Sequence, residues 1–204
     1  MPSSIGLSLT TVDLWDHFAS YDIVVKFSAL RTVRSIAGNN FKIAYDSRDP
    51  FDNPLPSKSS NVESVVFDRS NVDSKWLTPY LSGLKSLRVF RCSSTSQDHW
   101  QPSFDPFRIR AALLAQAKES IEVLELNSDR GEGHYIGSLS QFEALRELHT
   151  SQHQLLDHML MNWCSKQVDM LPASLESLTV NFQDLRDHYS LHILVVQMGE
   201  LKAK

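Results

Sequence analysis

What the chain of 204 residues lacks narrows its class first. It holds two cysteines, Cys92 and Cys164. Neither a disulfide framework nor a C-x-x-C zinc site can be built from them. No N-x-S/T glycosylation acceptor occurs. No apolar run approaches the roughly 18 residues of a membrane span. The opening MPSSIGLSLTTV has no basic n-region and no long apolar core, so no signal peptide is read there. An intracellular, reducing compartment, cytoplasmic or nuclear, is the expectation. Charge of one sign is also missing. Twenty Lys+Arg stand against 24 Asp+Glu, for a net charge of −4, which disfavours a nucleic-acid binder.

What is present is ordinary globular material, 42% apolar and 22% charged, of a length that suits one domain or one elongated array. Its organising phrase is LPASLESLTVNFQDL, Leu171 to Leu185. Apolar residues fall at Leu175, Leu178, Val180 and Leu185, with Gln183 two before the last. This is the L-x-x-L-x-L-x-x-(N/C)-x-L phrase of a leucine-rich repeat. In a strand Leu178 and Val180 point one way while Ser177, Thr179 and Asn181 point the other. One such unit cannot bury its apolar face alone, whereas stacked neighbours bury it jointly.

Worn copies recur upstream. They are Leu30 and Val33, with Ser35 where a third apolar residue is wanted; Val62, Val65, Phe67; Leu87, Phe90, Cys92; Ile121, Leu124, Leu126; and Leu145, Leu148, Thr150. The third has an alternative register, Leu84, Leu87, Val89, Cys92. The S/A-L-x-x-apolar order shared with Ala29-Leu30, Ala144-Leu145 and Ser174-Leu175 favours the first. Intervals near or above the 20–29 residues usual for this class call for helices between strands. Asp73 is a candidate N-cap for a helix with Trp76, Leu77, Tyr80 and Leu81, and Pro79 limits its regularity. Asp105 followed by Pro106 opens the clearest helix, with Ile109, Ala112, Leu113 and Ala117 on one face. Further helices are expected through Leu156, Met159, Leu160 and Trp163, and through Leu191, Leu194, Val195 and Met198.

The fold class predicted is α/β: a leucine-rich-repeat solenoid with parallel strands on the concave face and helices on the convex face. Residues 1–28 read as an N-terminal helical segment or worn repeat, with Asp13 capping a helix that carries Leu14, Trp15 and Phe18. Residues 29–204 read as the repeat domain. An irregular insertion at about 39–61 carries three prolines, and FKIAYDS in it is a candidate extra strand.

The phrases SNVESVVFD, KSLRVFRC, ESIEVLELNS, ALRELHTS and LPASLESLTV resemble the leucine-rich-repeat region of fungal F-box-like proteins. The likeness covers roughly residues 29–198. It implies an α/β solenoid and, where an F-box is present, recruitment of targets to a cullin-RING ubiquitin ligase. This chain departs from that pattern. It shows no leucine-proline opening followed by an apolar helical series, and the repeats stop on an apolar helix without a polar cap. A truncated or degraded repeat fragment is therefore an alternative.

Catalytic chemistry finds little to stand on. His149, His153 and His158, with Asp157 and Cys164, are the nearest thing to a metal or nucleophile set. His149 falls on a predicted strand and His153 in its turn, so the helical ligand geometry fails. Nothing local gives Cys164 a base. In DRGEGHYIG the glycines sit beside carboxylates, which suits a turn and not a phosphate cradle. A hydrolase with a loop-borne site is the weakest rival. Trp100, beside His99 and Gln101, is the aromatic best placed as an exposed anchor.

The expectation is a non-enzymatic protein–protein interaction module with no catalytic residues, no metal and no cofactor. Its partner is a protein, not nucleic acid or a membrane. The outward strand positions form the candidate face: Val66, Asp68, Arg91, Glu125, Asn127, His149 and Thr179, flanked by Ser64, Val89, Val123, Glu147, Ser177 and Asn181. A broad surface of mixed chemistry suits a protein better than a small substrate.

Overall fold

The computed structural model describes residues 9–15, 21–40, 55–70, 72, 74–94, 104–128, 135–155 and 170–181. Within them the chain is α/β. Its strands are β1 (Thr11–Trp15), β2 (Ser35–Asn39), β3 (Ser64–Asp68), β4 (Val89–Ser94), β5 (Val123–Ser128), β6 (Glu147–Ser151) and β7 (Ser177–Asn181). They form one seven-stranded sheet in strict chain order, and every neighbouring pair is parallel. The described helices are α1 (Tyr21–Ser28), α2 (Ser74–Ser82), α3 (Pro106–Ala117) and the short α4 (Gln152–Leu155). No helix among the described residues is long and apolar enough to cross a membrane.

Alternation along each strand decides which face is core. Val12, Ile36, Val65, Phe90, Leu124, Leu148 and Leu178 stand in register across all seven strands. A second inward column runs two residues on, through Gly38, Phe67, Cys92, Leu126 and Thr150. A third, of Val33, Val62, Leu87, Ile121 and Leu145, is buried just before the strands begin. Helices close the inward side. Trp76 of α2 meets Phe67 edge-on, centroids 5.9 Å apart, and stacks on Tyr80 at 5.2 Å. Pro79 sits inside α2, while Trp76, Leu77, Tyr80 and Leu81 are all buried. Asp105 caps α3 by accepting a hydrogen bond from the Arg108 backbone N–H at 3.1 Å. Ile109, Ala112, Leu113 and Ala117 are the face that α3 buries, together with Pro106.

The structure corrects the sequence in two places. Asp13, Leu14 and Trp15 lie on β1, not on a helix. TVDLW alternates with period two, and Val12 drops into the core column beside Ile36. Secondly, the worn repeat is Val33, Ile36, Gly38, not Leu30, Val33, Ser35. Leu30 is 44% exposed, while Val33 and Ile36 are fully buried. Gly38 takes the inward slot opposite Phe67. The missing side chain on one strand is matched by a bulky ring on the next. β2 ends at Asn39, where the irregular segment of the sequence reading begins. The ambiguous third repeat is resolved, because Phe90 and Cys92 pair with Val65 and Phe67. Asp73, the FKIAYDS stretch, Phe18, Trp100 and the two C-terminal helices of the sequence reading lie outside the described residues.

Candidate functional site

The outward residues of the strands make one continuous face. Its central row is Ala37, Val66, Arg91, Glu125, His149 and Thr179, one per strand from β2 to β7, in register. Asp13 extends it on β1. The row before it includes Ser64, Val89, Val123, Glu147 and Ser177, and the row after it Asn39, Asp68, Ser93, Asn127, Ser151 and Asn181. The seven residues singled out from sequence thus share one face. Every outward position in these rows is half-buried or exposed except Ser151, which is buried. Their inward neighbours from Ile36 on β2 to Leu148 and Thr150 on β6 are buried, while Leu14 on β1 and Leu178 and Val180 on β7 are partly buried.

Charge on this face is held loosely. The Arg91 Nε stands 3.8 Å from the Glu125 carboxylate across β4 and β5. That is an ion pair but longer than a hydrogen bond, and this Nε is buried with no hydrogen-bond partner. Asn127 donates to Glu125 at 3.0 Å, and Asn181 donates to the Asn127 amide oxygen at 3.4 Å. At the row's other end Ser93 donates to Asp68 at 2.7 Å. Arg69, in a left-handed conformation with φ of 47°, ends β3 and pairs with Asp68 at 3.4 Å. The His149 Nε2 lies 3.9 Å from the Glu147 carboxylate on its own strand.

Two features of the face were not read from sequence. Trp15, assigned to a helix, stands 75% exposed on the outward side of β1. Its signal was the alternation of Val12 and Leu14 around it. The other is a ladder of alternating charge at the strand entrances: Arg34, Glu63, Arg88, Glu122, Arg146 and Glu176. Each of these residues donates its backbone N–H to the preceding strand's entry, at 2.8 or 2.9 Å from β2 through β7. Ion pairs join Arg34 to Glu63 at 3.5 Å, Arg88 to Glu122 at 2.9 Å and Arg146 to Glu176 at 3.6 Å. The Arg88–Glu122 pair is bidentate, with a second hydrogen bond of 3.0 Å.

Among the described residues no three His, Cys, Asp or Glu side chains gather as a metal site. His149 lies on β6 and His153 on α4, while Asp157, His158 and Cys164 lie outside the described residues. Cys92 is buried in the core. Burial, with the Glu125 charge adding to it, pushes its thiol from about 9 up to about 12, the opposite of an activated nucleophile. Arg110 of α3 is a fastener. Its Nη1 donates to the Ser138 carbonyl at 2.6 Å, and its guanidinium lies 4.8 Å over the Phe107 ring. Burial lowers its pKa from the usual range, partly countered by Tyr135.

Comparison with protein-family models, with curated proteins and with solved structures found no match.

Proposed function

We propose that the chain is a leucine-rich-repeat solenoid acting as a non-enzymatic protein-interaction module through the outer, concave face of its sheet. The observation that carries this reading is the continuous row Val66, Arg91, Glu125, His149 and Thr179, in register over five strands and open to solvent. A parallel sheet spaces such side chains about 4.8 Å apart. The row is too broad for a small substrate and chemically mixed enough to read a protein surface. Opposite charges held loosely in its centre favour register and discrimination over raw affinity. Target recognition for an F-box-type ubiquitin ligase is the role that the sequence resemblance implies for such a face.

The test is a pulldown with wild type beside an Arg91→Glu, Glu125→Arg variant. The swap keeps a pair between β4 and β5 but inverts its direction. Loss of specific partners from the variant, at unchanged thermal stability, is expected. Equal recovery of the same partners by both would sink the reading.

A further inference from the structure

We infer that the partner meets this face with a segment rich in lysine and arginine, a conclusion that rests on the interaction reading above. Two independent observations lead there. The first is sign. Asp13, Asp68, Glu125 and Glu147 stand on the face, against Arg91 in the centre and Arg69 at its margin. The remaining outward residues are neutral side chains and His149. Glu125 is beyond hydrogen-bond range of Arg91 and accepts a neutral hydrogen bond from Asn127 at 3.0 Å, and Glu147 stands 3.9 Å from His149; Asp68 is the more engaged, held by Ser93 at 2.7 Å and Arg69 at 3.4 Å. The second is aromatic. Trp15 is the most exposed large apolar side chain described, and it shares the outward side of β1 with Asp13 two residues away. An exposed indole beside carboxylates offers a cation both a ring face and a counter-charge.

The arrangement also tells against the opposite partners. A phosphate backbone or an acidic peptide would meet like charge along the row, and like-charge juxtaposition at an interface disfavours binding. An aliphatic partner would find only Ala37, Val66, Val89 and Val123 as a small apolar floor, each half-buried. A lysine- or arginine-bearing strand or loop uses all of it. Its aliphatic stems lie on the valines while its charged ends reach the carboxylates.

The experiment measures fluorescein-labelled octa-arginine and octa-glutamate peptides by anisotropy on the full chain, at low and at physiological salt. Three variants accompany wild type. One neutralises the face (Asp68→Asn, Glu125→Gln, Glu147→Gln). A charge-matched one neutralises the entrance ladder (Glu63→Gln, Glu122→Gln, Glu176→Gln). The third is Trp15→Phe, with Trp15→Ala beside it. Octa-arginine is expected to bind and octa-glutamate not. The face variant should weaken binding at least about tenfold, the scale on which a focused field raises association. The ladder variant should bind like wild type. Trp15→Ala should cost about two- to fivefold, as an exposed cation–π contact does. Trp15→Phe should abolish the tryptophan fluorescence change on binding.

Equal weakening by the face and ladder variants would reduce the effect to net charge and overturn the inference. So would absence of octa-arginine binding. In either case a pulldown that still depends on Arg91 and Glu125 leaves the interaction face standing with a different partner. A pulldown indifferent to them removes both.

Discussion

At the scale of single residues, the two cleanest measurements concern Cys92 and the leucine column. The Cys92 thiol is held up to about 12 by burial. Alkylation read by mass spectrometry on the Cys92 peptide should therefore proceed through opening of the fold, slower than a free thiol by the factor that the opening equilibrium sets, and unfolding should remove that protection. The linkage has a definite sign. From about pH 9 upward the unfolded thiol ionises while the buried one stays protonated, so the folded state loses roughly 1.4 kcal/mol per pH unit until about 12. Cys92→Ala should flatten that part of a stability–pH curve, and an unchanged slope would mean that the thiol is not buried. Leu124 and Leu148 are fully buried, whereas Leu178, in the same register, is only partly so. A common column was legible in the sequence, but equal burial along it was not. Leu124→Ala should cost about 2–5 kcal/mol. Leu178→Ala, at a side chain only partly buried against the core, should cost less than about 2 kcal/mol. Equal losses in chemical denaturation would contradict the burial gradient.

At the scale of elements, the entrance ladder behaves differently from a set of surface ion pairs. An isolated exposed pair contributes about 0–1 kcal/mol, and reversing both members leaves it intact. Reversing Arg88 and Glu122 together keeps their mutual attraction, yet it sets a glutamate beside Glu63 and an arginine beside Arg146. The double reversal should therefore remain roughly 0.5–1 kcal/mol less stable than wild type, the scale of cross-strand charge pairs. Added salt should narrow the gap. A double reversal as stable as wild type would reduce the ladder to independent pairs. The ladder was written in the sequence all along: Val33-Arg34, Val62-Glu63, Leu87-Arg88, Ile121-Glu122, Leu145-Arg146 and Leu175-Glu176. A first repeat phased on Leu30 does not hide it, because Leu30 too is followed by an arginine, Arg31, in the slot that Arg34 takes in the fold. Leu30 attracts a pattern reader by its leucine. Only tertiary packing reveals that Val33 and Ile36 take the buried slots and leave Leu30 to the solvent. Trp15 escaped for a related reason: a single short strand with Asp13 at its centre fits the start of a helix as well as an edge.

At the scale of the whole molecule, the parallel direction of β2 to β7 was legible in the spacing, while β1 read as a helix. Units of similar length, each with one strand and one return, add to the same sheet edge in turn. Most outward residues were legible too, since period-two alternation fixes a face once the phase is right. What spacing could not supply was the charge relation between units that lie some 25 or more residues apart in sequence, because that depends on which strands become neighbours. The ladder gives this array a parity. Odd and even units are not interchangeable: the even strands enter with arginine, and from β3 on the odd strands enter with glutamate. Excising one unit, residues 88–121, would bring Glu63 against Glu122 and leave two like charges on adjacent strands. The same deletion carrying Glu122→Arg, Arg146→Glu and Glu176→Arg has the same length and core but restores the alternation. It should melt at a higher temperature than the plain deletion, and an equal or lower melting temperature would show that the alternation is incidental. Growth or shrinkage of such an array by duplication and loss is then favoured in steps of two.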